Sequence, residues 1–174
     1  MPPGPTPAPD FATLAEAHLE SAYSLARWLV RDAALADDVV QDAMVRALKY
    51  FGGFRGENPR AWLLQIVRNV ALTRLKGSAD LAPAESSAVE VPNDSRDGPE
   101  ATLMREDDER VLQKLLAALP LELRECLVMR ELEELSYKEI ARIIDAPLGT
   151  VMSRLWRGRK LLAEAAGALE VRGS

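Results

Sequence analysis

One cysteine, Cys126, and one histidine, His18, leave this 174-residue chain without a disulfide or a metal centre built on thiolates and imidazoles. Cys126 sits in the apolar run LRECLVM and His18 at helical spacing in AEAHLE, so both read as packing residues. Aromatic residues make up only 5% of the chain and β-branched runs are scarce, whereas Ala, Leu, Arg and Glu are plentiful. That balance speaks against sheets and predicts an all-α fold. There is no apolar run of about 18 residues, and MPPGPTPAPD puts prolines where a signal peptide has a charged end and an apolar core. The expected location is therefore the cytoplasm, with no membrane insertion of the chain's own. No nucleophile–base set is visible, and the glycines of YFGGFRGEN follow no strand pattern of a phosphate loop. No catalytic residue, metal or cofactor is expected.

What the chain does have is clearest in SYKEIARIIDAPLGTVMSRLWRGRKLL, residues 136–162. Ser136 and Glu139 have the spacing of a capping box, so a helix should start there with Ile140, Ala141 and Ile144 on its apolar face. Asp145-Ala146-Pro147 should stop it, because proline lacks an N–H and forces the preceding residue out of the α region. A second helix begins near Leu148. On it Val151, Leu155 and Leu162 point back, while Thr150, Ser153, Arg154, Arg157 and Lys160 are expected on the opposite side. Six basic residues against two acidic make this segment +4 in a chain of net charge −5. The pattern predicts a helix-turn-helix that enters DNA, although a plain helical hairpin with solvated arginines fits the same spacing.

Upstream, five prolines in residues 1–10 predict a flexible tail. Amphipathic helices are predicted from Phe11 to about Val30, then through Ala36, Val39, Val40, Ala43, Met44, Ala47 and Leu48, and from Asn58-Pro59 to a stop at Gly77. Acids crowd the front of the second helix, where the helix dipole alone would favour them. Residues 46–76 carry seven basic side chains and one acidic, a local +6 next to the aromatic and glycine loop Tyr50–Asn58. Rings for stacking beside cations for the backbone make a plausible single-strand surface, if those rings are not core. Residues 78–100 have no helical period, three prolines and a charge of −5, which reads as a linker. The expected organisation is a tail (1–10), a first helical domain (11–77), a flexible acidic linker (78–100) and a second helical domain (101–167). Its helices should run from Ala101 to Pro120 and from Leu121 to about Leu132 before the helix-turn-helix.

With both halves in view, the chain resembles bacterial RNA polymerase sigma factors of the extracytoplasmic-function (ECF) group. LADDVVQDAMVRAL is similar to the family's region 2.2, NPRAWLLQIVRNVALTRLK to regions 2.3 and 2.4, and LPLELRECLVMRELEELSYKEIARIIDAPLGTVMSRLWRGRKLL to region 4. The resemblance implies a non-enzymatic subunit that binds core polymerase through its β′ clamp and β flap, reads −10 and −35 promoter elements and helps open DNA. It also implies control by an anti-sigma factor. By position, Asp38, Gln41 and Asp42 would meet the clamp. Tyr50, Phe54, Arg55, Arg60, Arg68 and Asn69 would contact the −10 strand, and Arg130, Tyr137, Thr150, Ser153, Arg154, Trp156 and Arg157 the −35 duplex. Met152 stands where the family often has a basic residue. A rival reading, an autonomous helix-turn-helix regulator, leaves the acidic 37–42 stretch and the aromatic loop without a task.

Overall fold

Local capping sets most helix ends. In the computed structural model, which describes residues 10–79 and 99–172, Asp10 and Asp32 accept from the backbone N–H groups of Thr13 and Leu35 at 2.9 and 2.8 Å. They start α1 (Phe11–Val30) and α2 (Ala33–Tyr50), and Arg31, in the left-handed region, ends α1. A short 3₁₀ turn, Phe51–Gly53, leads to α3 (Pro59–Ala79), where Asn58 Oδ1 accepts from Ala61 N–H at 3.1 Å. Then come α4 (Pro99–Ala118), α5 (Leu121–Leu127), α6 (Tyr137–Ile144) and α7 (Leu148–Arg172). Among the described residues the regular structure is all helical, with no strand, as composition predicted. The predicted tail, but for Asp10, and most of the linker lie outside the described residues.

Helices α1, α2 and α3 pack mutually around Leu25, Leu29, Val39, Leu63, Leu64 and Val67. Ala22, Ala26, Ala36, Ala43, Ala47 and Ala71 are fully buried between them, so the helices approach closely with little side-chain entropy lost. The second half wraps α5 and α6 around α7, burying Leu123, Leu127, Ile140, Ile143, Val151 and Leu155.

Periodicity misplaced some details. Helix α3 runs past Gly77 to Ala79, and the predicted helix 121–132 changes at Val128 into a π-type turn, Val128–Leu132. Leu48, expected inside, is exposed. Gly158 was not singled out, yet it is where α7 crosses α5: an added Cβ would lie 2.8 Å from Leu127 Cδ1 and 3.1 Å from its Cγ. Because Leu127 is itself buried, Gly158→Val is expected to destabilise the second half by about 1–3 kcal/mol despite valine's better helix propensity. A thermal melt checks this; an unchanged midpoint would mean that Leu127 can move aside.

The two halves are in contact, α3 against α6 and α1 against α5. One hydrophobic cluster spans both halves, and charges that periodicity does not pair add polar ties across the join.

Candidate nucleic-acid interface

The capping box of α6 forms as predicted. Ser136 Oγ accepts from Glu139 N–H at 3.1 Å, and Glu139 Oε2 accepts from Ser136 N–H at 2.6 Å. That backbone N–H holds the Glu139 carboxyl below its ordinary range against the opposing effect of burial, with Asn58 Nδ2 adding a donor at 2.7 Å. Asp145, at φ 52°, ends α6 and gives its N–H to the Ala141 and Arg142 carbonyls; Thr150 N–H then bonds the Pro147 carbonyl at 3.0 Å to begin α7. Turn and proline thus set the angle between the two helices.

Helix α7 buries Val151, Leu155 and Gly158 and leaves Ser153, Trp156, Arg157 and Lys160 open. Trp156 is 64% exposed with Lys160 Nζ 5.3 Å from its ring centre, and it shares a shallow groove with Tyr137, Met152 and Arg159. Thr150 is half-buried at the helix start. The Arg130 guanidinium lies 4.8 Å over the Tyr137 ring and donates to the Leu135 carbonyl at 2.9 Å. Arg159 donates to Glu131 at 2.7 Å, and that bond raises its pKa. Arg154, expected on the open side, turns inward instead. Its guanidinium is 3.8 Å from Glu122 and 3.7 Å from Glu125, because a buried carboxylate on α5 draws a cation that lies one turn from the apolar stripe.

On the first half, Tyr50 is 59% exposed, with Lys49 Nζ 5.7 Å from its ring centre. Phe54 is half-buried, its ring centre 4.7 Å from that of Trp62 and 6.2 Å from that of Phe51. Arg55 and Asn69 are exposed. Arg60 and Arg68 are engaged across the halves: Arg60 donates to the Glu133 carboxylate at 2.8 Å and carbonyl at 2.6 Å, and Arg68 grips both oxygens of Glu125 at 2.8 and 3.1 Å. On α2, Asp38 and Gln41 are open, but Asp42 bonds Arg74 of α3, whose pKa this raises. Val45 and Leu48, 68% and 58% exposed, add to the expected acidic face an apolar margin that periodicity did not predict.

Glu125 and Glu133 were also missed as functional candidates, since acids are assumed to be solvated. The one available signal was Glu125 lying inside the apolar run LRECLVM. Its neighbour Arg124 is buried and donates to the carbonyls of Leu29, Ala117 and Leu119, capping the ends of α1 and α4; burial lowers its pKa. Burial likewise pushes the Cys126 thiol up to about 11, a packing cysteine with little thiolate near neutrality. The described residues contain no His, Cys, Asp and Glu group suited to a metal, and no helix long and apolar enough to cross a membrane.

Comparison with known proteins agrees with this geometry. Residues 14–79 match the family model for sigma-70 region 2 and residues 109–162 that for sigma-70 region 4. The RNA polymerase sigma-H factor of Pseudomonas aeruginosa is 33% identical over 145 residues, covering 78% of this chain and 75% of its own. The ECF RNA polymerase sigma-E factor of Escherichia coli K12 is 34% identical over 134 residues, 72% of this chain and 70% of its own. Among solved structures, the sigma factor RpoE of Bartonella quintana, in complex with the anti-sigma factor NepR, superposes with a TM-score of 0.75 at 25% identity, over 91% of this chain and 97% of that one. With both regions matched in order and relatives this similar over most of their length, the chain belongs to the ECF group of sigma-70 family RNA polymerase sigma factors.

Proposed function

We propose that this chain is a non-enzymatic, cytoplasmic initiation subunit that binds core RNA polymerase, directs it to promoters through −10 and −35 elements and promotes opening of the DNA. The observation that carries the reading is the open face of α7, Ser153, Trp156, Arg157 and Lys160, on a capped and proline-broken helix pair in the same chain as the exposed acidic and apolar face of α2. The first is suited to a major groove. The second is suited to a partner with a basic rim, and the names of the relatives make that partner RNA polymerase. In this reading Asp38, Gln41, Val45 and Leu48 dock on the clamp and Asp42 works from within its pair with Arg74. Tyr50 offers the open stacking ring, Arg55 and Asn69 flank it, and Phe54 supports the loop from its place on Trp62. Arg130 and Tyr137 hold the DNA backbone beside α7, with Thr150 at the helix start. Arg154 serves the −35 site by fixing α7 to α5. The anti-sigma complex of the Bartonella relative supports control by such a partner here.

An autonomous helix-turn-helix regulator would act on duplex without polymerase, so polymerase-dependent transcription from a promoter is the deciding experiment. Within it, Tyr50→Ala should reduce initiation on a duplex promoter by about 1–3 kcal/mol, the worth of one stacked base. A template already opened at −10 should recover part of that loss. Equal loss on both templates would assign Tyr50 to folding or general binding instead of melting.

A further inference from the structure

We propose that Met152 is a specificity-determining residue of the −35 site, where its side chain meets the C5-methyl group of a thymine in the major groove. The inference deepens the assignment of α7 to the −35 duplex and rests on it. Met152 is 52% exposed and stands one turn before Trp156, itself 64% exposed, on the open face of α7. The inward neighbours Val151 and Leu155 are buried, so the packing of α7 is complete without either outer side chain. A single exposed apolar residue would need no explanation. Two of them adjoining Ser153 and Arg157, on a helix shaped to enter a groove, form a contact surface.

Chemistry narrows the target to one group. In the major groove a thymine shows an acceptor and a methyl, whereas cytosine shows an amino donor and the purines show polar edges. The methyl is the apolar feature of that code, and methionine, which has no strong donor or acceptor, gains most from it. Its unbranched, polarizable thioether adapts to a small convex partner. An arginine at this position would favour a guanine edge, so methionine shifts the preferred base to thymine. The walls around Met152 are held in place. Tyr137 lies under the Arg130 guanidinium at 4.8 Å, Lys160 Nζ is 5.3 Å from the Trp156 ring centre, and Arg159 is tied to Glu131 at 2.7 Å. An apolar floor with a cationic rim, in a segment of charge +4, matches a base edge flanked by phosphates.

The test uses the full chain assembled with core RNA polymerase and a promoter duplex selected by that holoenzyme from a library randomised over the −35 element. Each thymine of the selected element is then replaced singly by uracil, which removes the C5-methyl and leaves the hydrogen-bonding edge intact. At one thymine the wild-type holoenzyme should bind the uracil duplex about fourfold more weakly, the worth of one methyl-sized group taken out of water. Uracil in the spacer between the two elements should change nothing. Met152→Ala should bind the thymine and uracil duplexes equally, whereas Met152→Leu, which keeps an apolar side chain without the sulfur, should retain most of the ratio. Because Met152 is exposed, these substitutions leave the core intact, and the comparison within each variant cancels any general loss of affinity. Equal affinity of the wild type for every thymine and uracil pair overturns the proposal, as does a ratio that persists in Met152→Ala, which would assign the methyl to Trp156. Either result keeps the −35 assignment of α7, since a −35 sequence was still selected; a holoenzyme that selects none removes both.

Discussion

Asp38→Lys combined with Leu48→Ala is expected to weaken core-polymerase binding by about 2–4 kcal/mol while changing chain stability by no more than about 0.5 kcal/mol. Both side chains are exposed on α2, so neither substitution opens a cavity. Their contributions should separate kinetically. The charge reversal acts mainly on association and fades with salt, whereas loss of the apolar anchor acts on dissociation and persists. Asp42 is left out deliberately: a lysine there would face Arg74 and disturb the α2–α3 contact, confusing docking with folding. Binding kinetics at two ionic strengths, with a thermal melt alongside, check the expectation. Unchanged affinity at low salt would move the polymerase contact to another face.

Arg157→Ala should relax base preference at one or two −35 positions by about 1–3 kcal/mol, the discrimination expected of a guanidinium that reads a guanine edge. Arg157 is free to do so because Ser153 and Trp156 share its open face and no apolar neighbour covers it. Arg130→Ala should instead lower affinity nearly uniformly across sequences and reduce the salt slope by about one unit, as loss of a phosphate contact does. Since Arg130 also stacks on Tyr137 and bonds the Leu135 carbonyl, its melt must be compared before affinity is interpreted. Affinities for single-base −35 variants across several salt concentrations distinguish the two roles. Unaltered base preference in Arg157→Ala would require α7 to lie in the groove in another rotation.

The amino-acid sequence by itself determined the helices, the capping box at Ser136 and Glu139, the stop at Asp145-Ala146-Pro147 and the buried stripe of α7. Each depends on partners within about four positions, where spacing alone dictates geometry. It also carried the order of the two sigma regions, because their motifs are continuous stretches of chain. Tertiary structure alone decided which charges are available. Arg60 meets Glu133 from 73 positions away and Arg68 meets Glu125 from 57, and no periodicity links such pairs. The same holds for Arg154, turned inward by Glu125, and for Leu48, which the packing of α2 leaves outside. A side chain's type and local spacing set what it can do; which partner it reaches is decided by where the folded chain places the opposite charge, and burial makes that choice costly to reverse.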